Sequence, residues 1–332
     1  MERLAEIHNP ATASSGKGEG LARFMELRGR RIVEGAGVLW HSVAGRFYMS
    51  IPYQLHLASE PGVVESMLRK IGGLGARFPS LSRPGLASGL YICRDKGYDF
   101  PSLQPRQRTK VRRGLERCEI RRVEESELLT QGLQLNLDTM KRQGRYDSEF
   151  GAPDEWKRLV AAIGRSPTVI PMGAFIGSRL AAYAVTYRED GWLNILHQMS
   201  RLEDLEHYPN HALTFQVTRE MVTDPDLEAV SYGLVSLVST EGLHAYKLQF
   251  GFEVVPHNEV FQLHPAVSAL LASSPAVHFM DILQRLRPRD QRLERISTVL
   301  RGARASRQAE PSIRRAESFP DRAVRKQERT YQ

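Results

Sequence analysis

Apolar and polar positions alternate through three successive runs, 168–176 (TVIPMGAFI), 179–188 (RLAAYAVTYR) and 192–200 (WLNILHQMS). A period of two predicts strands. Gly177-Ser178 and Asp190-Gly191 separate the runs, and both dipeptides are turn signals, so the three strands are expected to form an antiparallel meander. The apolar period lengthens to that of a helix at 125–143, 154–164, 209–223 and 241–250. Shorter strand patterns stand at 118–123, 229–235, 251–256 and 259–264. The resulting order, β-α-α-β-β-β-α-β-α-β-β, predicts an α+β domain around a central mixed, mostly antiparallel sheet.

Before this domain the pattern is weaker. Residues 37–59 alternate as two strands, with Gly45 as the turn and Pro52 ending the second. A helix is expected at 61–71, opened by Glu60-Pro61, and a short strand near 89–95. This reads as a reduced α+β region over 31–105, behind a flexible leader at 1–30 with one amphipathic turn. Residues 106–122, RQRTKVRRGLERCEIRR, carry eight basic and two acidic side chains, with helical spacing over 106–117. Beyond the main domain, 106–265, a helical extension is expected over 266–302, with a short helix near 289–300. The stretch 303–332 has the composition of a disordered basic tail.

Charge changes the picture in one respect. The chain of 332 residues has 46 Lys plus Arg against 38 Asp plus Glu, and the last 50 residues hold 14 and 6 of these. The body is therefore neutral and the whole excess of +8 belongs to the C-terminal stretch. A basic isoelectric point does not by itself mark the folded part as a nucleic-acid binder. Cys93 and Cys118 are too few for a disulfide framework or a four-thiolate zinc site, and they suit a reducing compartment. The first twenty residues have no apolar core, so no secretory signal is expected. The uncharged run 260–280 contains two prolines, two histidines and three serines, and reads as a strand end, a turn and two short helices rather than a membrane span. Motifs for a P-loop, a Rossmann phosphate turn, a zincin and a nucleophile elbow are all absent.

Four segments together carry a family likeness. They are the basic helix Gln107-Arg108-Thr109-Lys110-Val111-Arg112-Arg113, the paired strands Met172–Ile176 and Arg179–Thr186, the helix opening Tyr208-Pro209-Asn210-His211-Ala212-Leu213, and the run Gly242–Phe252 with Tyr246-Lys247 ahead of Gly251-Phe252. In this order the chain resembles the GNAT acyltransferases, and more specifically their FemAB-like branch. The likeness covers 106–265 well and 31–105 only as a reduced GNAT-like first region. It implies direct transfer of an acyl group from acetyl-CoA or another acyl-CoA to an amine, with no metal. The acceptor would be a small molecule, an amino sugar or an amino acid. The chain departs from the GNAT pattern at 201–212, RLEDLEHYPNHA, where a glycine loop usually cradles the pyrophosphate of the donor. This stretch has no glycine and carries Glu203, Asp204 and Glu206. Lys247 stands where many GNAT enzymes have a tyrosine acid, which points to the FemAB-like branch.

The residues themselves suggest roles. On the helix 241–250, Leu243, Tyr246, Lys247 and Phe250 share a face, so Lys247 points inward or skirts an edge. A buried ammonium wants an anionic partner, and a phosphate or developing oxyanion would serve. The competing reading is a lysine that carries its head out to water. Lys247, Tyr246 and His197 are the candidate catalytic groups. Asn210, His211 and Ala212 offer amides at a helix start for donor phosphates. Strict alternation along 192–200 puts Gln198 and Ser200 on one face and His197 on the other. Gln198 and Ser200, with Gly233 as a position of close approach, complete the expected donor site. Arg142 and Asp138, at the end of the first helix, and Tyr232 are expected at the acceptor. Two other readings stand beside the acyl-CoA enzyme. One is a FemAB-type transferase using aminoacyl-tRNA in cell-wall or envelope biosynthesis. The other is a non-catalytic GNAT-fold binding module. The basic segment 106–122 and the tail could hold tRNA or an anionic surface. All three readings place the protein in the cytoplasm, with no transmembrane segment.

Overall fold

The computed structural model describes residues 17–58, 60–237, 241–271 and 291–307. The chain divides into two compact units, and the first is discontinuous, built among the described residues mainly from 30–58, 60–88, 257–271 and 291–307. In this unit β1 (Ile32–Gly35), β2 (Val38–Ala44) and β3 (Phe47–Ile51) form an antiparallel meander, and β3 pairs parallel with β4 (Gly75–Ser80). The expected turn at Gly45 is present, with φ +56°. The connection from β3 to β4 contains α2 (Pro61–Ile71), closed by Gly72 in the left-handed conformation, as the Glu60-Pro61 start predicts. Its buried side chains Val64, Met67 and Leu68 meet Trp40, Tyr48 and Phe78 from the sheet.

Three features of this unit differ from the sequence reading. Glu19–Leu27, within the stretch read as a leader, is a helix (α1) that buries Leu21, Ala22, Phe24 and Met25. The strands expected at 251–256 and 259–264 are one continuous strand, Glu253–Leu263, whose segment from Asn258 pairs with β4. His257-Asn258 looks like a break because both are polar, yet both are buried in the sheet. The C-terminal helix spans Gln291–Ala305, and Gly302 lies so close to Phe261 that a Cβ there would stand 2.2 Å from the ring. Helix therefore continues past the expected boundary at 302. In the uncharged run the strand ends at Leu263 and a short helix spans Pro265–Leu271, while residues 272–280, like most of the basic tail, lie outside the described residues. No helix among the described residues is long and apolar enough to cross a membrane.

The second unit, chiefly residues 89–256, carries the order read from the sequence. Its strands are β5 (Leu86–Cys93), β6 (Glu119–Arg122), β7 (Val169–Ile176), β8 (Arg179–Glu189), β9 (Trp192–Ser200) and β10 (Ala229–Leu234), arranged β5-β10-β9-β8-β7-β6. All neighbours are antiparallel except β9 and β10, so the sheet is mixed and mostly antiparallel. The helices are α3 (Pro105–Arg117), α4 (Glu125–Glu127), α5 (Leu133–Arg142), α6 (Ser148–Gly151), α7 (Pro153–Gly164), α8 (Pro209–Thr223) and α9 (Glu241–Gln249). A π-helical turn, Leu128–Gly132, joins α4 to α5, so the single helix expected at 125–143 is interrupted. The core holds Leu213, Phe215, Val217 and Met221 of α8 against Ala182, Ala184, Leu193, Ile195 and Val230 of the sheet.

Two glycines set the position of α8 and α9. Gly114 of α3 lies against the start of α8: a Cβ there would meet Tyr208 O at 2.7 Å and Ala212 Cβ at 3.0 Å. Gly251, at φ +80°, ends α9 with Phe252 N–H donating to Lys247 O at 3.3 Å, a helix stop only glycine adopts freely. Overpacking a close contact typically costs about 1–3 kcal/mol. Gly114→Val is therefore expected to lower the thermal midpoint by several degrees, with Gly97→Val, where a Cβ meets only the Asp95 side chain at 3.4 Å, as a milder control.

Candidate functional site

β9 and β10 are parallel neighbours over only three pairs, Ala229↔Trp192, Val230↔Leu193 and Ser231↔Asn194. Past Ser231 and Asn194 the ladder ends, although β9 runs on to Ser200. Each strand also carries an irregularity here. In β9, Thr186 pairs with Ile195 but Val185 pairs with His197, so Leu196 is an extra residue. In β10 the register against β5 shifts between Ser231 and Leu234, and Gly233 stands at φ +72°. Backbone groups freed from a ladder need other partners. Two side chains supply them in the wedge: Lys247 of α9 donates to Tyr232 O, and Ser231 Oγ accepts from Gly233 N at 3.2 Å.

His197 and Gln198 face opposite ways as alternation assigns, but the extra residue at Leu196 shifts the phase of the strand. Ile195 and Gln198 both lie on the α8 side, while His197 lies on the other. Gln198 becomes the hub of the wedge. Its Oε1 accepts from the Tyr232 hydroxyl and, at 3.2 Å, from Thr214. Its Nε2 donates to Asn210 Oδ1 at 3.1 Å and Asn210 O at 3.3 Å. The Tyr246 hydroxyl donates to Asn210 O at 3.0 Å and lies 3.0 Å from Thr214 Oγ1. Burial holds the Tyr232 and Tyr246 hydroxyls well above the usual phenol range, so both are neutral donors.

Lys247 closes the wedge from α9. It is only 6% exposed, so the inward reading holds over the solvent-seeking one. Its Nζ donates to Tyr232 O at 2.6 Å, the carbonyl next to the Gly233 bulge. It also lies 4.2 Å from the Tyr91 ring centroid and 4.7 Å from that of Tyr232. No carboxylate lies within ion-pair distance among the described residues. Burial lowers its pKa to about 7. The amine is thus poised between charged and neutral forms near physiological pH.

The other expected site residues fall elsewhere. His197 packs edge-on against Phe150 of α6, with ring centroids 4.6 Å apart. Burial, with Arg28 and Arg145 adding to it, lowers its pKa to about 3, so it is a neutral ring at pH 7. Arg142 donates to Ser200 Oγ at 3.1 Å, and Asp138 accepts from Leu202 N at 2.9 Å, so both tie the end of α5 to the end of β9. Lys247, Tyr246, Tyr232, Gln198 and Asn210 come together. His197, Arg142, Asp138 and Ser200 do not join them. Thr214, Tyr91 and His244 join the site without a signal in the sequence. Thr214 is an ordinary core position by pattern, and Tyr91 comes from a strand more than 150 residues before Lys247.

The helix start at 210–212 is less open than its sequence suggests. The amides of His211 and Ala212 both donate to Tyr208 O, at 3.0 and 3.2 Å, and Pro209 has no amide. Of the three expected amides, Asn210 alone is left without a backbone acceptor. Ala212 is fully buried beneath Gly114. The acidic residues are a smaller obstacle than they look, since Asp204 pairs with Arg179 at 2.6 Å and Glu203 lies 3.9 Å from Arg179 and Arg201. On α3, Arg106, Lys110 and Arg113 have no anionic partner among the described residues. Lys110 is close enough to His211 to help burial lower that ring's pKa to about 4.

No protein-family model and no curated protein sequence matches the chain. Solved structures do. The chain is similar to FemX, at 12% identity and a TM-score of 0.54, over 76% of this chain and 92% of that one. It is also similar to the C-terminal domain of a putative lysylphosphatidylglycerol synthetase from Agrobacterium fabrum, at 12% identity and a TM-score of 0.52, over 78% and 92% of the two chains. The fold is therefore GNAT-like, of the FemAB type, as the sequence segments imply.

The lysine gives a pH signature for folding. Unfolded, Lys247 binds its proton up to about pH 10.5; folded, it releases it near pH 7. Between these values the unfolded chain holds the extra proton, so this residue makes stability rise with pH from about 7 to 10.5 and leaves its full penalty below 7. A shift of this size is on the order of 5 kcal/mol. Lys247→Met is expected to be more stable than wild type at pH 6, with the gap closing toward pH 10, as read by denaturant unfolding. An equal gap at both pH values would contradict the burial of the amine.

Proposed function

We propose that the chain is a FemAB-type acyltransferase that moves an aminoacyl group from an RNA-borne ester to an amine acceptor. The observation that carries this reading is Lys247, a buried amine with a pKa of about 7 at the point where β9 and β10 part. Attack of an amine on an ester forms the new C–N bond and breaks the C–O bond of the leaving hydroxyl. The attacking nitrogen loses a proton and the leaving oxygen gains one. A group that is half-protonated at neutral pH suits that traffic, and its charged form suits the oxyanion between the two steps. Tyr246 and Tyr232, as neutral hydroxyls fixed by Gln198, Asn210 and Thr214, orient the polar wall. Direct transfer needs no nucleophile from the protein.

The donor class follows from the helix start. The pyrophosphate of an acyl-CoA would need several free amides, and His211 and Ala212 have already spent theirs on Tyr208 O. These residues do not fit the group well. Lys110, one of the cations of α3 without an anionic partner among the described residues, lies near the same helix start, and such charge suits a polyanion. The acceptor is an amine on a small molecule, amino sugar or amino acid, which is compatible with envelope chemistry served from the cytoplasm. A second reading, an acyl-CoA N-acyltransferase, is favoured by the parted strands β9 and β10, which leave an opening of the kind GNAT enzymes use for the donor.

Calorimetry with a charged tRNA pool and with acetyl-CoA separates the readings. Binding of charged tRNA without acetyl-CoA is expected. Acetyl-CoA binding alone would favour the second reading, and turnover with neither donor would leave a binding module. Lys247→Met is expected to fold and to lose roughly 10²–10³ in turnover, the usual cost of one preorganised donor. Lys247→Arg should restore part of that loss if charge is what matters, and none if proton transfer is, because Arg does not deprotonate.

A further inference from the structure

Lys247 has one close neighbour, Tyr91, that the transferase reading does not use. Its Nζ sits between two phenol rings, Tyr91 at 4.2 Å and Tyr232 at 4.7 Å from their centroids. Each ring is held by its own hydroxyl. Tyr232 is tied to Gln198, part of the wedge network. Tyr91, on β5 and 3% exposed, meets His244 Nδ1 at 2.7 Å, with the two rings tilted and 5.7 Å apart. His244 lies on α9 three residues before Lys247, so the two share a helix face one turn apart. The helix that delivers the amine therefore also delivers the group that fixes one wall of its enclosure.

We propose that Tyr91 and His244 are positioning residues for Lys247: the Tyr91–His244 hydrogen bond holds the Tyr91 ring against the ε-amine and keeps water away from it. The proposal rests on the transferase reading only for its use and not for its test. Neither residue has a hydrogen bond into the polar network around Gln198 among the described residues. The bond matters because a buried hydroxyl left without a partner costs about 1–3 kcal/mol, enough to favour a moved ring and an admitted water. A ring that stays in place strengthens the electrostatics of everything it screens. Loss of the bond should therefore return Lys247 toward the behaviour of an ordinary solvated lysine.

Trace labelling of the full chain with acetic anhydride, followed by peptide mass spectrometry across pH 5–11, reads the ionisation of Lys247 directly and needs neither donor nor acceptor. Lys247→Met supplies the background. In wild type the half-maximal labelling of Lys247 is expected near pH 7. Tyr91→Phe and His244→Ala should each raise that midpoint by about one pH unit or more, and the double variant should raise it no further than the larger single effect. His244→Asn, whose amide oxygen can accept where Nδ1 does, should keep the midpoint near wild type. Unchanged midpoints in Tyr91→Phe and His244→Ala would overturn the proposal, as would shifts that add in the double variant. If His244→Ala fails to fold, Tyr91→Phe and His244→Asn decide between the same outcomes. A midpoint that moves as stated in a protein inactive with every donor would uphold the proposal and sink the transferase reading instead.

Discussion

An ammonium buried without a carboxylate is the constraint around which the second unit is arranged. Among the described residues Lys247 has one hydrogen-bond acceptor, the carbonyl of Tyr232, and two aromatic faces. Aromatic faces and a carbonyl dipole offset only part of the lost hydration, and so the pKa falls to about 7. The bulge at Gly233 turns that carbonyl away from the β5 ladder and toward the lysine. The left-handed stop at Gly251 and the burial of Phe250 and Phe252 fix the end of α9 that carries it. The parting of β9 from β10 leaves room for Gln198, Tyr232 and Tyr246 to build a polar wall beside the amine. Each of these features costs regular structure, and all of them converge on one side chain.

Much of the fold is legible in the chain. The meander 168–200 is announced by alternation and two turn dipeptides, and Gly251-Phe252 marks the end of α9. The inward direction of Lys247 follows from helical spacing with Leu243, Tyr246 and Phe250, even though Leu243 itself is 43% exposed. The failures have physical causes. A bulge adds one residue without any change in composition, so alternation along 192–200 separates His197 from Gln198 but puts His197 on the face of Ile195, which the structure does not. A helix start shows its free amides in sequence only if nothing local bonds them, and Tyr208, in the left-handed conformation at φ 57°, brings its carbonyl over His211 and Ala212. The Tyr91–His244 pair is invisible because its members are 153 positions apart. The first unit is discontinuous in the chain, and a left-to-right reading has no signal that Asn258–Leu263 returns to pair with Gly75–Ser80.

The closed helix start bears on chemistry as much as on folding. Gly114 lets α3 approach α8 until the Tyr208 carbonyl and Ala212 are in contact with it. The same approach brings Lys110 within electrostatic reach of His211. Positive charge near this end of α8 therefore comes from side chains on a neighbouring helix, and less from its own backbone amides. Long, mobile cations suit an extended polyanion, whereas a compact diphosphate is better matched by a fixed row of amides.

The charge state of the Lys247 amine is directly observable. Nitrogen-detected NMR of the protein labelled with ¹⁵N-lysine, with Lys247→Met to assign the signal, follows the Lys247 Nζ shift through a pH titration. The structure predicts a transition near pH 7, set apart from the other lysines of the chain. A transition near the ordinary lysine value of 10.5 would mean that the ammonium reaches water, and the wedge would then have no poised group at its centre.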